Sequence, residues 1–305
     1  MDTVRGLVIR SQSGFYTVKT DQGELQARLR GRLKQGRPEG DIVALGDWVQ
    51  VSPGTEGEPP MIEAVEERRG ALLRQAPGAS GNYEQVIVAN PDHVFFVFAC
   101  ADPEPRFGML DRFLVIAEQQ QLPSAIVVSK VDLVGKKEAR QMFAHYADVG
   151  YEVFYTSSEK GWGVKELHQQ MAGKFTVLAG PSGAGKTSLL NRIEPDLGLR
   201  VAEVREKTRK GSHTTVERVM FPLQAGGYVA DTPGLKALAL SDIEPEELDG
   251  YFPEIAERVP ECKFRSCTHT QEPGCAVLAA VEAGAIHSDR YRSYLAIRAN
   301  LEENL

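Results

Sequence analysis

The stretch Phe175-TVLAGPSGAGKTSLLNR-Ile193 sets the architecture of the chain. An apolar run reads as a buried strand, a glycine-rich turn follows it, and Leu189, Leu190 and Ile193 recur at helical spacing. The turn Gly180-Pro181-Ser182-Gly183-Ala184-Gly185-Lys186-Thr187, with Ser188 behind it, matches G-x-x-x-x-G-K-[ST] in the strand-to-helix setting that this motif requires. Glycines let successive backbone N–H groups turn inward around phosphate oxygens, and the helix N-terminus adds its positive end. In such a cradle Lys186 reaches the β- and γ-phosphates and Thr187 ligates Mg²⁺, so the expected ligand is a nucleoside triphosphate.

Two further groups of residues lie on either side of this loop. Asp231-Thr-Pro-Gly234 follows the apolar strand Gly227-YVA about 45 residues after Lys186, where Asp231 can hold the metal through water and Gly234 can approach the γ-phosphate. Thr214 and Thr215 stand between them as metal and γ-phosphate sensors; Thr215 joins Thr187 and Asp231 in the expected Mg²⁺ set, although either threonine suits the metal. Upstream, Ser129-Lys130-Val-Asp132 ends another apolar strand. Asp132 can accept two hydrogen bonds from the N1–H and N2–H₂ edge of guanine, a donor pair that adenine lacks, and the Lys130 stem can lie over the base. Thr156-Ser157-Ser158 closes a further strand and offers a backbone N–H to the guanine O6. An ordinary GTPase carries its phosphate-reading motifs first and its base-reading motifs last. Here the order is reversed, the pattern of a circular permutation, which leaves site geometry intact because domain termini often lie close together.

From about Arg74 to Ile193, buried strands alternate with amphipathic helices (Met109 to Gln120, Lys136 to Val149, Val164 to Met171), the rhythm of a parallel sheet covered on both faces. Two more strands are expected in Arg218-VMFPL and Gly227-YVAD. The first seventy residues instead alternate with period two between turn signals. Gly6 to Arg10, Phe15 to Thr20, Leu25 to Arg30, Trp48 to Val51 and Met61 to Val65 read as a small five-stranded barrel, OB-like or SH3-like on pattern alone. Arg28, Arg30, Arg32, Lys34 and Arg37 occur there with no acidic residue among them, either as a solvated strand edge or as a phosphate-binding face.

The 305 residues carry a net charge of −7, which excludes a uniformly basic nucleic-acid-binding surface but not local patches. Lys207, Arg209 and Lys210 before the switch threonines, and Arg290, Arg292 and Arg298 near the C-terminus, are candidates for such patches. No apolar run approaches the ~20 residues of a membrane span, and a cytoplasmic protein with no membrane partner is expected. Of four cysteines, Cys100 sits in the apolar run Phe95-FVFACA and reads as a core thiol. The others form Cys262-x₄-Cys267-x-His269-x₅-Cys275: three thiolates and an imidazole that can close a tetrahedral structural Zn²⁺ site with no position left for water.

With the barrel before the permuted motifs and the cysteine cluster after them, the whole chain resembles the bacterial ribosome-small-subunit-dependent GTPase A family. The matching stretches are the P-loop GPSGAGKT, GSHTT at 211 to 215, DTPG at 231 to 234, LDRFLVIAE at 110 to 118 and the zinc spacing. The resemblance implies a multidomain fold: an all-β OB-fold barrel over 1–70, an α/β circularly permuted P-loop GTPase domain over 71–240 and a small, mainly helical zinc-binding domain over 241–305. It implies hydrolysis of GTP to GDP, slow alone and stimulated by the 30S subunit, as a checkpoint in late subunit maturation with 16S rRNA contacts; a monomeric protein is expected. Leu235 occupies the place where many GTPases put a water-orienting Gln, and the resemblance assigns His213 to position the attacking water. Ser129 replaces the usual Asn and can make only part of its contacts, so a lower nucleotide affinity than a full N-K-x-D would give is expected. A P-loop small-molecule kinase and a nucleotide-independent RNA-binding scaffold are the rival readings.

Overall fold

The computed structural model describes residues 3–34, 42–54, 58–75, 84–199, 218–231, 240 and 243–303. Strands β1 (Val4–Gln12), β2 (Phe15–Thr20), β3 (Gly23–Leu29), β4 (Trp48–Ser52) and β5 (Met61–Val65) form one sheet in the order β1-β2-β3-β5-β4, which closes through β1–β4 pairing. The β3–β5 pair is parallel and the other pairs are antiparallel, so this is an OB-like barrel. Period-two alternation places Val8, Val18, Val49, Val51 and Ile62 inside, fully buried, because successive side chains of a strand point to opposite faces.

The second sheet has the order β10-β9-β8-β11-β14-β13. Its strands are β8 (His93–Ala99), β9 (Ser124–Ser129), β10 (Val153–Tyr155), β11 (Lys174–Ala179), β13 (Phe221–Pro222) and β14 (Gly227–Asp231). All pair in parallel except β13, which runs antiparallel to β14. Helices α1 (Phe107–Gln119) and α2 (Lys136–Asp148) cover one face around Phe96, Phe98 and Val128; α3 (Val164–Met171) and α4 (Lys186–Ile193) cover the other around Phe95, Val97 and Val127. Burial on both faces explains why β8 is apolar from Val94 to Ala99 rather than alternating.

Two features depart from the sequence expectation. The apolar run Arg218-VMFPL is not one strand. Its first two residues form β12 (Arg218–Val219), which pairs with barrel strand β1, and the next pair, β13, joins the second sheet; buried Met220 lies between and donates its N–H to the Ile9 carbonyl at 2.9 Å. A hairpin of β6 (Ala71–Gln75) and β7 (Glu84–Ala89) also precedes the α/β rhythm. Barrel and hairpin are tied together by buried Asp47, which accepts from Arg68 at 2.8 Å and from the Ala44 N–H at 2.7 Å, and by Asn90, which donates to the Gly46 carbonyl.

The C-terminal region holds α5 (Ala276–Glu282) and α6 (Ser288–Glu302). Two of the arginines expected on a basic surface there are internal. Arg290 is 1% exposed and donates to Glu254 (Nε to Oε1 2.6 Å) and to Asp111 of α1 (Nη1 to Oδ1 2.7 Å). Arg298 is also buried; it bonds the Pro245 carbonyl and pairs with Glu302. Of the three, only Arg292 is exposed, and it pairs with Asp289. Among the described residues, no helix is long and apolar enough to cross a membrane.

Candidate functional site

Parallel pairing brings the carboxyl ends of β8, β9, β10, β11 and β14 to one edge of the sheet, the edge at which open α/β sheets bind ligands. The loop after β11 is the P-loop. At Gly180 the backbone has φ +149° and runs against the Val97 carbonyl so closely that a Cβ there would overlap it, which leaves room for glycine alone. Lys186 opens α4, and its Nζ donates to the carbonyls of Gly180 at 2.8 Å and Pro181 at 3.0 Å, so the ammonium is folded over the loop it serves. Ala184 is buried, whereas Ser182 and Gly183 are exposed.

The residues expected to read the base reach the P-loop directly. Ser129, at the end of β9 and 3% exposed, donates its hydroxyl to the Ala184 carbonyl at 2.5 Å, so the shorter side chain still braces the phosphate loop. Lys130 adopts a left-handed backbone with φ +58°, and its Nζ bonds the carbonyl of Asp102 in the loop after β8. That loop also places Pro103 Cδ 3.5 Å from the position a Cβ on Gly183 would take. Asp132 lies half-buried in a single 3₁₀ turn, Val131–Leu133, and no other described residue takes up its carboxylate. Its neighbour Val131 donates to the Thr156 carbonyl at 3.1 Å, which joins the base-reading turn to the loop after β10. Within that loop Ser157 is fully buried; its N–H bonds the Trp162 carbonyl at 3.0 Å and its hydroxyl accepts from the Lys160 N–H at 3.0 Å. Ser157 is thereby committed to the turn.

Asp231 ends β14, in register with Leu178 of β11, so its backbone flanks the strand that feeds the P-loop. His213, Thr214, Thr215 and Gly234 lie outside the described residues, as do Leu235, Lys207, Arg209, Lys210 and Arg37.

The four predicted metal ligands converge. Their ligand atoms lie within 4.8 Å of one another, with Cys262 Sγ to His269 Nδ1 at 3.6 Å, Cys275 Sγ to His269 Nδ1 at 3.4 Å and Cys262 Sγ to Cys275 Sγ at 3.9 Å. A tetrahedron with metal–sulfur bonds of ~2.3 Å and metal–nitrogen bonds of ~2.0 Å has edges of about 3.5 to 3.8 Å, so a zinc ion fits. Asp249 stands behind the imidazole: its Oδ2 lies 3.2 Å from His269 Nε2, while Nδ1 faces the Cys262 and Cys275 sulfurs. Nothing in its spacing announces it, because it stands twenty residues before the histidine. Cys275 caps α5. Burial opposes ionisation of its thiol, yet the Leu278 N–H and the neighbouring His269 hold it below its ordinary value. Burial likewise opposes ionisation of Glu272, but bonds from the Thr268 hydroxyl and from backbone N–H groups of the ligand loop keep its carboxyl well below the usual range.

The basic stripe of the barrel is less free than the sequence implies. Arg30 and Arg32 both pair with Glu63 of β5, at 2.6 and 2.9 Å, and exposed Arg28 stacks over Phe15, its partner across β2 and β3, at 4.4 Å. Exposed Lys34 extends the same edge in a 3₁₀ turn.

Two family models match the chain: an RsgA N-terminal domain over residues 5–59 and an RsgA GTPase over residues 65–241. Among curated proteins, the small ribosomal subunit biogenesis GTPase RsgA of Gemmatimonas aurantiaca is 42% identical, with 97% of each chain covered. The protein of the same name from Moorella thermoacetica is 40% identical over 98% of this chain and 97% of its own. Among solved structures, YjeQ from Thermotoga maritima superposes with a TM-score of 0.78 at 34% identity over 98% of both chains. YloQ, described as a circularly permuted GTPase, gives 0.75 at 31% identity over 99% of this chain and 96% of its own.

Proposed function

The chain belongs to the RsgA GTPase family, and from that premise we propose that it hydrolyses GTP in the service of small ribosomal subunit assembly. The observation that carries guanine-dependent chemistry is the Ser129–Ala184 hydrogen bond, since it couples the residues that would read a base to the loop that would hold its phosphates. GTP lies along the edge with its base at Asp132, Lys130 and Ser158 and its phosphates in the N–H cradle of Gly180 to Ser188. Lys186 transfers its bonds from the loop carbonyls to the β- and γ-oxygens. Thr187, Asp231 and Thr215 would hold Mg²⁺, which when bound would supply positive charge against that building on the phosphates. Water, oriented by His213, attacks the γ-phosphorus as the bond to the β-bridging oxygen breaks, releasing GDP and phosphate. Contacts of Thr214 and Gly234 with the γ-phosphate order the switches, and hydrolysis releases them.

The partner is the 30S subunit with its 16S rRNA, the reaction is slow until that partner is bound, and the protein acts as a cytoplasmic monomer. Arg28, Arg32 and Lys34 on the barrel edge supply phosphate contacts together with Arg37, which lies outside the described residues, while Arg30 is held closer to Glu63. The three-part division at 70 and 240 accompanies this reading, the last part stapled by Zn²⁺ on Cys262, Cys267, His269 and Cys275.

Release of phosphate from GTP and from ATP, with and without purified small subunits, tests the function. Stimulation of GTP hydrolysis alone, abolished by His213→Ala, is the expected result; equal use of ATP, or a phosphorylated small molecule as product, favours a kinase. For the metal, Asp249→Asn is expected to weaken zinc binding about 10- to 100-fold in a chelator competition, because the imidazole loses the carboxylate that orients it. Unchanged zinc affinity removes that role from Asp249.

A further inference from the structure

Asp132 reads the base only if the turn that carries it is fixed, and the oxygen on which the turn closes is the Lys130 carbonyl. The Leu133 N–H donates to it at 3.0 Å, which completes the 3₁₀ turn around Asp132. A second donor reaches the same oxygen: the thiol of Cys100, with Sγ 3.3 Å away. Cys100 lies just beyond β8, is 2% exposed, and donates its backbone N–H to the Ser129 carbonyl at 3.1 Å. It therefore grips both residues that precede the turn. Lys130 is a non-glycine residue in the left-handed region, a conformation that persists only where its surroundings impose it. Cys100, read from the sequence as a simple core thiol, lies against the base-reading turn.

We propose that Cys100 is a positioning residue for guanine recognition: its thiol holds the Lys130 carbonyl and so aims Asp132 at the base edge. The proposal rests on the assignment of Asp132 as the guanine reader. It predicts a loss that falls on base discrimination rather than on phosphate chemistry, because the thiol touches the Lys130 carbonyl, whereas the Cys100 N–H that holds Ser129 and the Ser129 hydroxyl that braces the P-loop are both kept when only the side chain is changed.

The test uses the full-length protein and fluorescent GDP and IDP, since inosine lacks the N2 amino group and makes only one of the two bonds to Asp132. Cys100→Val puts an apolar side chain of similar size in place of the thiol, without a donor; Cys100→Ser keeps a donor. The valine variant is expected to bind GDP about three- to tenfold more weakly, the span of one net hydrogen bond, and IDP, which makes one bond to Asp132, less so, which narrows the GDP-over-IDP preference. Its hydrolysis rate at saturating GTP stays within twofold of the parent, and the serine variant recovers most of the preference. An unchanged preference in the valine variant, equal weakening toward both nucleotides, or serine behaving like valine overturns the proposal. Asp132→Asn, measured in parallel, separates the two ideas. If it leaves the guanine preference intact, the underlying assignment fails; if it removes the preference while Cys100→Val does not, only the role of Cys100 fails.

Discussion

Lys186→Ala is expected to lower GTP turnover at least a hundredfold while the protein stays folded. The side chain is half-buried and spends its charge on two carbonyls of its own loop, Gly180 at 2.8 Å and Pro181 at 3.0 Å. Those bonds hold the ammonium over the cradle before any nucleotide arrives, so little reorganisation is needed when phosphate oxygens replace the carbonyls. As the γ-phosphoryl group departs, negative charge moves toward the β-phosphate, and a preorganised cation there lowers the barrier more than it stabilises bound GTP. Removing one such group from a preorganised site typically costs ~10²- to 10³-fold in rate, or about 2.7 to 4 kcal/mol. Single-turnover hydrolysis at saturating GTP measures it, and a thermal melt of the nucleotide-free protein close to that of the parent shows that the loss is chemical. A rate within tenfold of the parent would remove Lys186 from the catalytic set.

The second large effect concerns stability. Arg290→Met leaves two buried carboxylates without their cation: Asp111, fully buried on α1, and Glu254, 8% exposed in a single helical turn at Pro253–Ala256. The guanidinium meets Glu254 through two nitrogens, at 2.6 and 3.1 Å, and Asp111 through a third at 2.7 Å, and lies within 4.7 Å of the Phe252 ring. Tyr146 completes the set, its hydroxyl donating to Asp111 at 2.8 Å. Breaking such a pair from one side costs about 3 to 5 kcal/mol, because the remaining charge stays buried and uncompensated. At ~2 to 4 °C per kcal/mol for a domain of this size, the melting temperature falls on the order of 10 °C.

The acid side of the transition carries a sign. Burial holds the Asp111 carboxyl above its ordinary value even with Arg290 present, so the folded state takes up a proton more readily than the unfolded state. Its contribution is therefore most favourable at low pH and declines as pH rises through the folded-state value, and loss of Arg290 deepens that slope. The Arg290→Met deficit is thus expected to shrink as pH falls from 7 toward 5. Adding Asp111→Asn and Glu254→Gln to Arg290→Met should recover much of the loss, since no charge is then stranded. If the triple variant melts as low as the single one, lost packing rather than stranded charge is the cause. Because Asp111 belongs to α1 and Arg290 to α6, the same experiment tests how firmly the C-terminal region is fastened to the α/β sheet.

The P-loop, the base-reading turn, the permuted motif order and the Cys₃His set were legible in the chain itself. Each motif is a set of residues close together in the chain, where spacing largely sets geometry, and the permutation is read from the order in which those motifs follow one another. Strand and helix periods gave the barrel and the α/β rhythm for the same reason. Tertiary contacts decided what neighbours in sequence could not. Glu63 partly cancels a stripe that lacks any acid of its own, because β3 and β5 lie side by side although more than thirty residues separate them. Parallel β3–β5 pairing selected the OB-like barrel over the alternative that strand pattern left open. Arg290 and Arg298, basic surface by composition, became internal because partners more than fifty residues distant lie against α6. Asp249 acquired its place behind His269 in the same way. Local spacing encodes what a backbone can present within a turn or two; whether a charge stays free, is paired or is buried depends on which distant surface packs against it.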